Sequence, residues 1–131
     1  MEILLPVVVC LAYNLVYKSN WGYSVRMDSN GKIFAGIINA GSTSVTSNAA
    51  VDDGKWHHIA WVFDENTADT GHKIYIDGKL DAQATSGGGS SGTGVVFTVG
   101  TGQANSYMDE VRLWDDVRTQ TEIRDNMFTE V

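Results

Sequence analysis

The sequence predicts an all-β chain, folded as one antiparallel β-sandwich with a short C-terminal helix. Three observations carry that prediction. Short runs of β-branched and aromatic residues follow one another with Gly, Asn, Ser and Asp between them. Asp53-Gly54 and Asp77-Gly78 sit at the ends of such runs, and Asp-Gly is a hairpin signal because Gly accepts the positive φ of a tight turn. The composition agrees: 14 Gly, 1 Pro and 19% charged residues suit short strands joined by turns.

The elements follow in order. Leu4 to Leu11 is apolar and β-branched, and Leu15 to Lys18 leads to Ser19-Asn20. Trp21 to Met27 alternates, and the loop Asp28-Ser29-Asn30-Gly31 precedes a strand from Lys32 to Ile38. Asn39-Ala40-Gly41 turns into Ser42 to Ser47. Trp56 to Phe63 is the strongest strand; alternation puts Trp56, His58, Ala60 and Val62 on one face and His57, Ile59, Trp61 and Phe63 on the other. Asp64 to Gly71 reads as a polar loop, which leaves His72 isolated in it. Lys73 to Ile76 and Lys79 to Ala84 flank Asp77-Gly78. Ser86 to Gly94 is a Gly/Ser loop, and Val95 to Val99 and Ser106 to Trp114 complete the sheets. Thr119, with Glu122 three residues on, forms a capping box, and Ile123 and Met127 share one helix face. Short strands at this spacing read as a sandwich, and the length fits a single domain over residues 1–131.

Charge narrows the partners. The net charge of −7 argues against nucleic acid and against an anionic membrane surface, because both reward Lys and Arg. An acidic surface serves solubility and is compatible with calcium. The lone Cys10 permits no intrachain disulfide and reads as a small buried hydrophobe. Ile3 to Val16 is nearly all apolar but shorter than the ~20 residues of a membrane span. A signal peptide would fit its length, yet Glu2 stands where basic residues belong and Ala12 offers a poor cleavage site. A buried strand is the favoured reading.

Candidate sites are sparse. Adjacent strand residues point to opposite faces, so His57 and His58 do not chelate one ion together. In Met108 to Trp114, Glu110 and Arg112 read as a structural pair, with Asp109 serving nearby backbone. Calcium takes several oxygen ligands, and the candidates are Asp28, Asn30, Asp52, Asp53 and Asp109; the alternative for each is turn chemistry. Sugar binding pairs an aromatic platform with planar polar groups, which Asn20, Trp21 and Tyr23, and Asn105 and Tyr107, provide. Trp21 fits a rim platform or a core position at a strand start, and core is the favoured reading.

The segments Ser19-Asn20-Trp21-Gly22-Tyr23, Gly54-Lys55-Trp56-His57-His58-Ile59-Ala60, Tyr75-Ile76-Asp77-Gly78-Lys79 and Asp109-Glu110-Val111-Arg112-Leu113-Trp114, in this order, resemble the laminin G-like and pentraxin-like group of concanavalin A-type jelly rolls. The resemblance runs from Lys18 to about Met127. It implies a jelly-roll recognition module for glycans, proteins or matrix, with calcium at a loop rim in many members. It implies a place outside the cell or on a cell or virus surface. Catalytic glucanases on this scaffold carry Glu-x-Asp-x-x-Glu on one strand; none of Glu2, Glu65, Glu110, Glu122 and Glu130 begins that pattern, so the expectation is no enzyme. Only seventeen residues precede Lys18, and the Phe-Asp-Gly turn common in the group is absent. A sandwich lacking strands leaves open edges, which points to a homo-oligomer or a partner that covers them. The expected function is non-catalytic binding of carbohydrate or protein. The alternative is a decoration or cement subunit of a larger assembly, such as a viral capsid or tail.

Overall fold

The computed structural model describes residues 2–8, 13–18, 22–37, 43–64, 66–67, 71–85, 97–101 and 107–129, with the backbone alone for 2–8, 13–18, 97 and 101. The strands are β1 (Glu2–Val8), β2 (Tyr13–Lys18), β3 (Tyr23–Met27), β4 (Lys32–Ile37), β5 (Ser44–Ala50), β6 (His57–Phe63), β7 (His72–Ile76), β8 (Lys79–Ala84), β9 (Phe97–Thr101), β10 (Tyr107–Met108) and β11 (Arg112–Trp114). One helix follows, α1 (Gln120–Asn126). The first sheet runs β10-β1-β6-β7-β8, with β11 also on β1; the second runs β5-β4-β3-β2-β9. Every strand pairing among the described residues is antiparallel.

The apolar N-terminal segment supplies interior strands to both sheets. β1 lies between β6 and the β10–β11 pair, and β2 lies between β3 and β9. The stretch Ser106 to Trp114, expected as one strand, is two. Leu4 pairs with Arg112 and Val7 with Met108, so residues 109–111 span only Leu5 and Pro6. Glu110 takes φ 52° in this bulge, a conformation non-Gly side chains rarely adopt. The ladder breaks over the same residues where Pro6 has no N–H to give.

The two Asp-Gly turns diverge. Asp77 and Gly78 both take left-handed φ, 52° and 76°, and join β7 to β8 as a two-residue hairpin. Asp53-Gly54 makes no hairpin: it carries the chain from β5 in the second sheet to β6 in the first. Alternation works on both faces of β6. Ile59 and Trp61 enter the core between the sheets with Tyr23, Val25, Ile33 and Ile74. Ala60 and Val62 point the other way and, with Tyr75, bury Ile123 of α1. The capping box is present: the Thr119 hydroxyl accepts from the Glu122 amide, and the Glu122 carboxylate accepts from the Thr119 amide.

His72 is not a loop residue; it is fully buried in β7. Trp61 Nε1 donates to its Nδ1 at 3.2 Å, so its Nε2 carries the proton and bonds Thr43 Oγ1 at 2.8 Å. Burial lowers its pKa to about 4. His58, buried on the opposite face of β6, is likewise lowered to about 4, chiefly by desolvation. Unfolded histidine binds a proton near pH 6.5 and these two do not, so stability present above that pH is lost as pH falls toward 4. Each contributes a loss on the order of 3 kcal/mol by the bottom of that window. The urea midpoint therefore falls between pH 6.5 and 4.5; a flat midpoint contradicts this account. Trp61→Ala costs about 3–5 kcal/mol in the same urea titration at pH 7, because it empties the centre of the core.

Candidate functional site

The bulge between β10 and β11, the start of β6 and the end of α1 meet in a groove of about 320 Å³. Trp56, one residue before β6, forms one lip and is 56% exposed. It shares the outer face of the first sheet with His58 and Ala60 by alternation. Asp109, Glu110 and Arg112 line the groove from the bulge, and Met127 and Phe128 line it from the helix end.

Arg112 builds this wall. Its Nη2 donates to Glu110 Oε2 at 3.1 Å and to the Thr129 carbonyl, and its Nη1 donates to the Asn126 carbonyl at 2.9 Å. A guanidinium at a helix C-terminus satisfies carbonyls that the helix leaves unpaired. One side chain thus ties the bulge to the end of α1. Asp109 Oδ1 accepts from the Glu110 amide at 2.9 Å and braces the left-handed residue. Nearby, neither ring nitrogen of His58 has a hydrogen-bond partner among the described residues. Desolvation, together with Arg112, outweighs the pull of Asp77 and keeps this ring neutral near pH 7.

A charged clasp fixes the base of Trp56. His57 Nδ1 donates to Asp77 Oδ2 and its Nε2 donates to Asp53 Oδ1, both at 2.9 Å. Asp77 Oδ1 also accepts from the His58 amide, and the Asp77 amide donates to the His58 carbonyl. The Asp53 crossing turn and the Asp77 hairpin are therefore joined through one imidazole. Both ring nitrogens donate only in the imidazolium. Desolvation pulls the His57 pKa down, but the bonds to Asp77 and Asp53 overcome it and the net shift is upward. The His57 bond, then the Lys55 amide, holds the Asp53 carboxyl below its ordinary range.

The sequence-derived candidates scatter. Asn20, Trp21 and Asn105 lie outside the described residues. Tyr23 is 2% exposed and packs on Trp61 at 5.9 Å between ring centroids, so it is a core residue and not a rim platform. Tyr107 is 72% exposed on β10; its register opposite Val8, next to the Val7–His57 pair, puts it on the face of Trp56, two strands away. Asp28 Oδ1 accepts from the Asn30 and Lys32 amides, and these bonds, Lys32 first, lower its pKa. Asn30 is exposed in the same turn, and Asp52 lies against Gly31, where an added Cβ would fall 2.2 Å from its Cγ. Asp53 serves the clasp and Asp109 the groove. Among the described residues no three His, Cys, Asp or Glu side chains gather to hold a metal ion. Asp28, Asp52, Asp53 and Asp109 belong to no such group. The Glu110–Arg112 pair and the backbone role of Asp109 appear as expected. Sequence reasoning did not single out Trp56, Met127 and Phe128 as one surface. The available signal was a Trp directly after Asp-Gly, on the face that carries His58.

The groove presents an aromatic ring beside carboxylates and a guanidinium, the mix that stacks on and hydrogen-bonds a polyhydroxylated ring. A laminin G-type family model, described as the concanavalin A-like lectin/glucanases superfamily, matches residues 9–124. No curated protein matches the sequence. Among solved structures, a protein of Bacteroides ovatus described as carbohydrate-binding superposes with a TM-score of 0.68 at 15% identity, over 96% of this chain and 40% of that one. A heptameric SAP-like pentraxin of Limulus polyphemus gives 0.65 at 14% identity, over 96% and 69%. The binding domain of botulinum neurotoxin DC, solved with rat synaptotagmin II, gives 0.57 at 12%, over 96% and 34%. At such identities the likeness concerns the fold. The chain spans about two fifths of the Bacteroides protein.

The clasp yields a prediction of opposite sign to the buried histidines. A raised folded pKa gives stability that is complete below about pH 6.5 and is lost as pH rises through the folded value. His57→Gln removes this contribution, so the gap between wild-type and variant urea midpoints narrows from pH 6 to pH 9. A gap that stays constant across that range contradicts the charged clasp.

Proposed function

Since the chain belongs to the concanavalin A-like lectin/glucanases superfamily, we propose that it is a non-catalytic recognition module that binds carbohydrate or protein at a cell or particle surface. The observation that carries this reading is Trp56, held over half exposed at the lip of a groove that also offers Asp109 and Arg112. An exposed Trp fixed by its neighbours is a low-entropy platform for a sugar ring or an apolar side chain. Non-catalysis is supported by the missing Glu-x-Asp-x-x-Glu pattern and by Arg112, which engages the Glu110 carboxylate. The descriptions of two structural neighbours, a carbohydrate-binding protein and the binding domain of a toxin, accord with a recognition role. No helix among the described residues is long and apolar enough to cross a membrane.

A second reading, an assembly subunit, draws on a different observation. Val99 pairs with Val16, which pairs with the core residue Val25, so Val99 faces the sandwich interior. Leu113 pairs with Ile3, which pairs with Trp61, and faces the same interior from the other sheet. These two residues are nonetheless 42% and 51% exposed. Among the described residues nothing covers the edge at β9 and β11, and a neighbouring copy or partner would do so.

Glycan-array binding of the purified chain, in calcium and then in chelator, tests the first reading. Binding survives the chelator, and Trp56→Ala weakens it at least about tenfold while leaving stability within roughly 0.5 kcal/mol. Absence of glycan binding, with a sedimentation profile showing self-association that Leu113→Lys disperses, favours the assembly reading.

A further inference from the structure

The outer face of the second sheet carries a separate cavity of about 250 Å³, on strands that take no part in the Trp56 groove. Register sets its floor. Arg26, Phe34 and Thr46 lie side by side on one rung, and Ser24, Gly36 and Ser44 on the next same-face rung. Ser24, Arg26, Phe34 and Ser44 line it, and Thr43 closes one end. Gly36 lets β5 close over this rung: an added Cβ would fall 2.7 Å from the Thr43 carbonyl oxygen and from Ser44 Cβ.

Arg26 is the unusual member. In an acidic chain, arginines find carboxylates: Arg112 pairs with Glu110, Arg118 with Asp116 and Glu122, and Arg124 with Asp125. Arg26 is exposed and has no carboxylate partner among the described residues. Its Cζ instead lies 4.2 Å from the centroid of the Phe34 ring. Stacking restrains the guanidinium, while its N–H edge stays available for a planar oxyanion. Among the described residues no carboxylate lines the cavity, and its other polar side chains are hydroxyls. The volume is below the roughly 300–1,000 Å³ of drug-sized pockets, and suits one sugar ring.

We propose that this cavity is a second saccharide site, selective for a sugar bearing a carboxylate, with Arg26 as the anion contact and the exposed Ser44 hydroxyl as a contact to the ring. Phe34 acts as a positioning residue for the guanidinium. The inference rests on the reading of the chain as a recognition module, but uses neither Trp56 nor the edge at Leu113.

The test is an amide NMR titration of the whole chain with methyl β-D-glucuronide, methyl β-D-glucoside and glucose 6-sulfate. The first two differ only in carboxylate against hydroxymethyl. The glucuronide shifts the amides of Ser24, Gly36 and Ser44 and binds at least about tenfold more tightly than the glucoside. Arg26→Gln brings it to the level of the glucoside, Arg26→Lys restores part of the difference, and Trp56→Ala changes nothing at these amides. Equal binding of the two methyl glycosides, preference for the sulfate, or indifference to Arg26→Gln overturns the proposal. Should Arg26→Gln not fold, the wild-type comparison of the two glycosides decides. Saccharide binding lost with Trp56→Ala alone leaves the Trp56 reading standing and removes this one. Glucuronide binding that depends on Arg26, in a chain whose glycan binding ignores Trp56→Ala, does the reverse.

Discussion

The double burial of β6 is the constraint on which the rest of the molecule depends. Ile59 and Trp61 face the second sheet, and Ala60 and Val62 face α1. A strand with one face to solvent tolerates polar residues at every second position; this one does not. A register slip by one residue would move Trp61 under the helix and place His58 in the sandwich core. The histidines adjust to the same constraint. His72 sits beside Trp61 as a neutral ring, accepting from the indole and bonding Thr43 across the core. His58 lies neutral on the helix side. Only His57, at the strand's start, is placed between two carboxylates, which raise its pKa.

The groove follows from the same strand. Trp56 precedes His57, so its orientation is inherited from the face alternation of β6 and the anchoring of the Asp53 turn. The opposing wall arises because the β10–β11 edge bulges over Pro6. The bulge offers up Asp109 and Glu110, and Arg112 converts it into a fixed wall by tying it to the carbonyls ending α1. A backbone irregularity and a helix C-terminus, each with unsatisfied polar groups, are thus stabilised by one arginine. Binding surfaces held this way lose little freedom when a ligand arrives.

The two edges of the sandwich differ in how they are finished. At β5 and β8, the Asn48 and Ala49 amides donate to the Asp81 carboxylate and bind the sheets together. At β9 and β10, Met108 closes on Gly100, whose added Cβ would lie 2.7 Å from the Met108 methyl. Farther along that edge, Val99 and Leu113 face inward and still meet solvent. The fold is therefore sealed on one side and incompletely sealed on the other.

Much of the fold was legible in the sequence. Alternation in His57 to Phe63 gives both faces of β6, Thr119 and Glu122 give the helix start, and Asp77-Gly78 gives the hairpin, because each depends on residues close in the chain. Asp53-Gly54 looked the same and became a crossing between sheets, since local turn chemistry does not choose the sheet that a strand joins. His72 looked like loop because the partners that justify burying it, Trp61 and Thr43, are 11 and 29 residues away. Tyr23 looked like a platform and proved to be core for the same reason. The sequence by itself determined most of the strands, the two faces of β6, and the acidic balance of charge. The tertiary structure alone decided that Trp56 lines one groove with Arg112 and Phe128 and that, among the described residues, Arg26 stands without a carboxylate and one edge stays open. Those are relations between side chains far apart in sequence, and only the docking of two sheets and a helix brings them within contact distance.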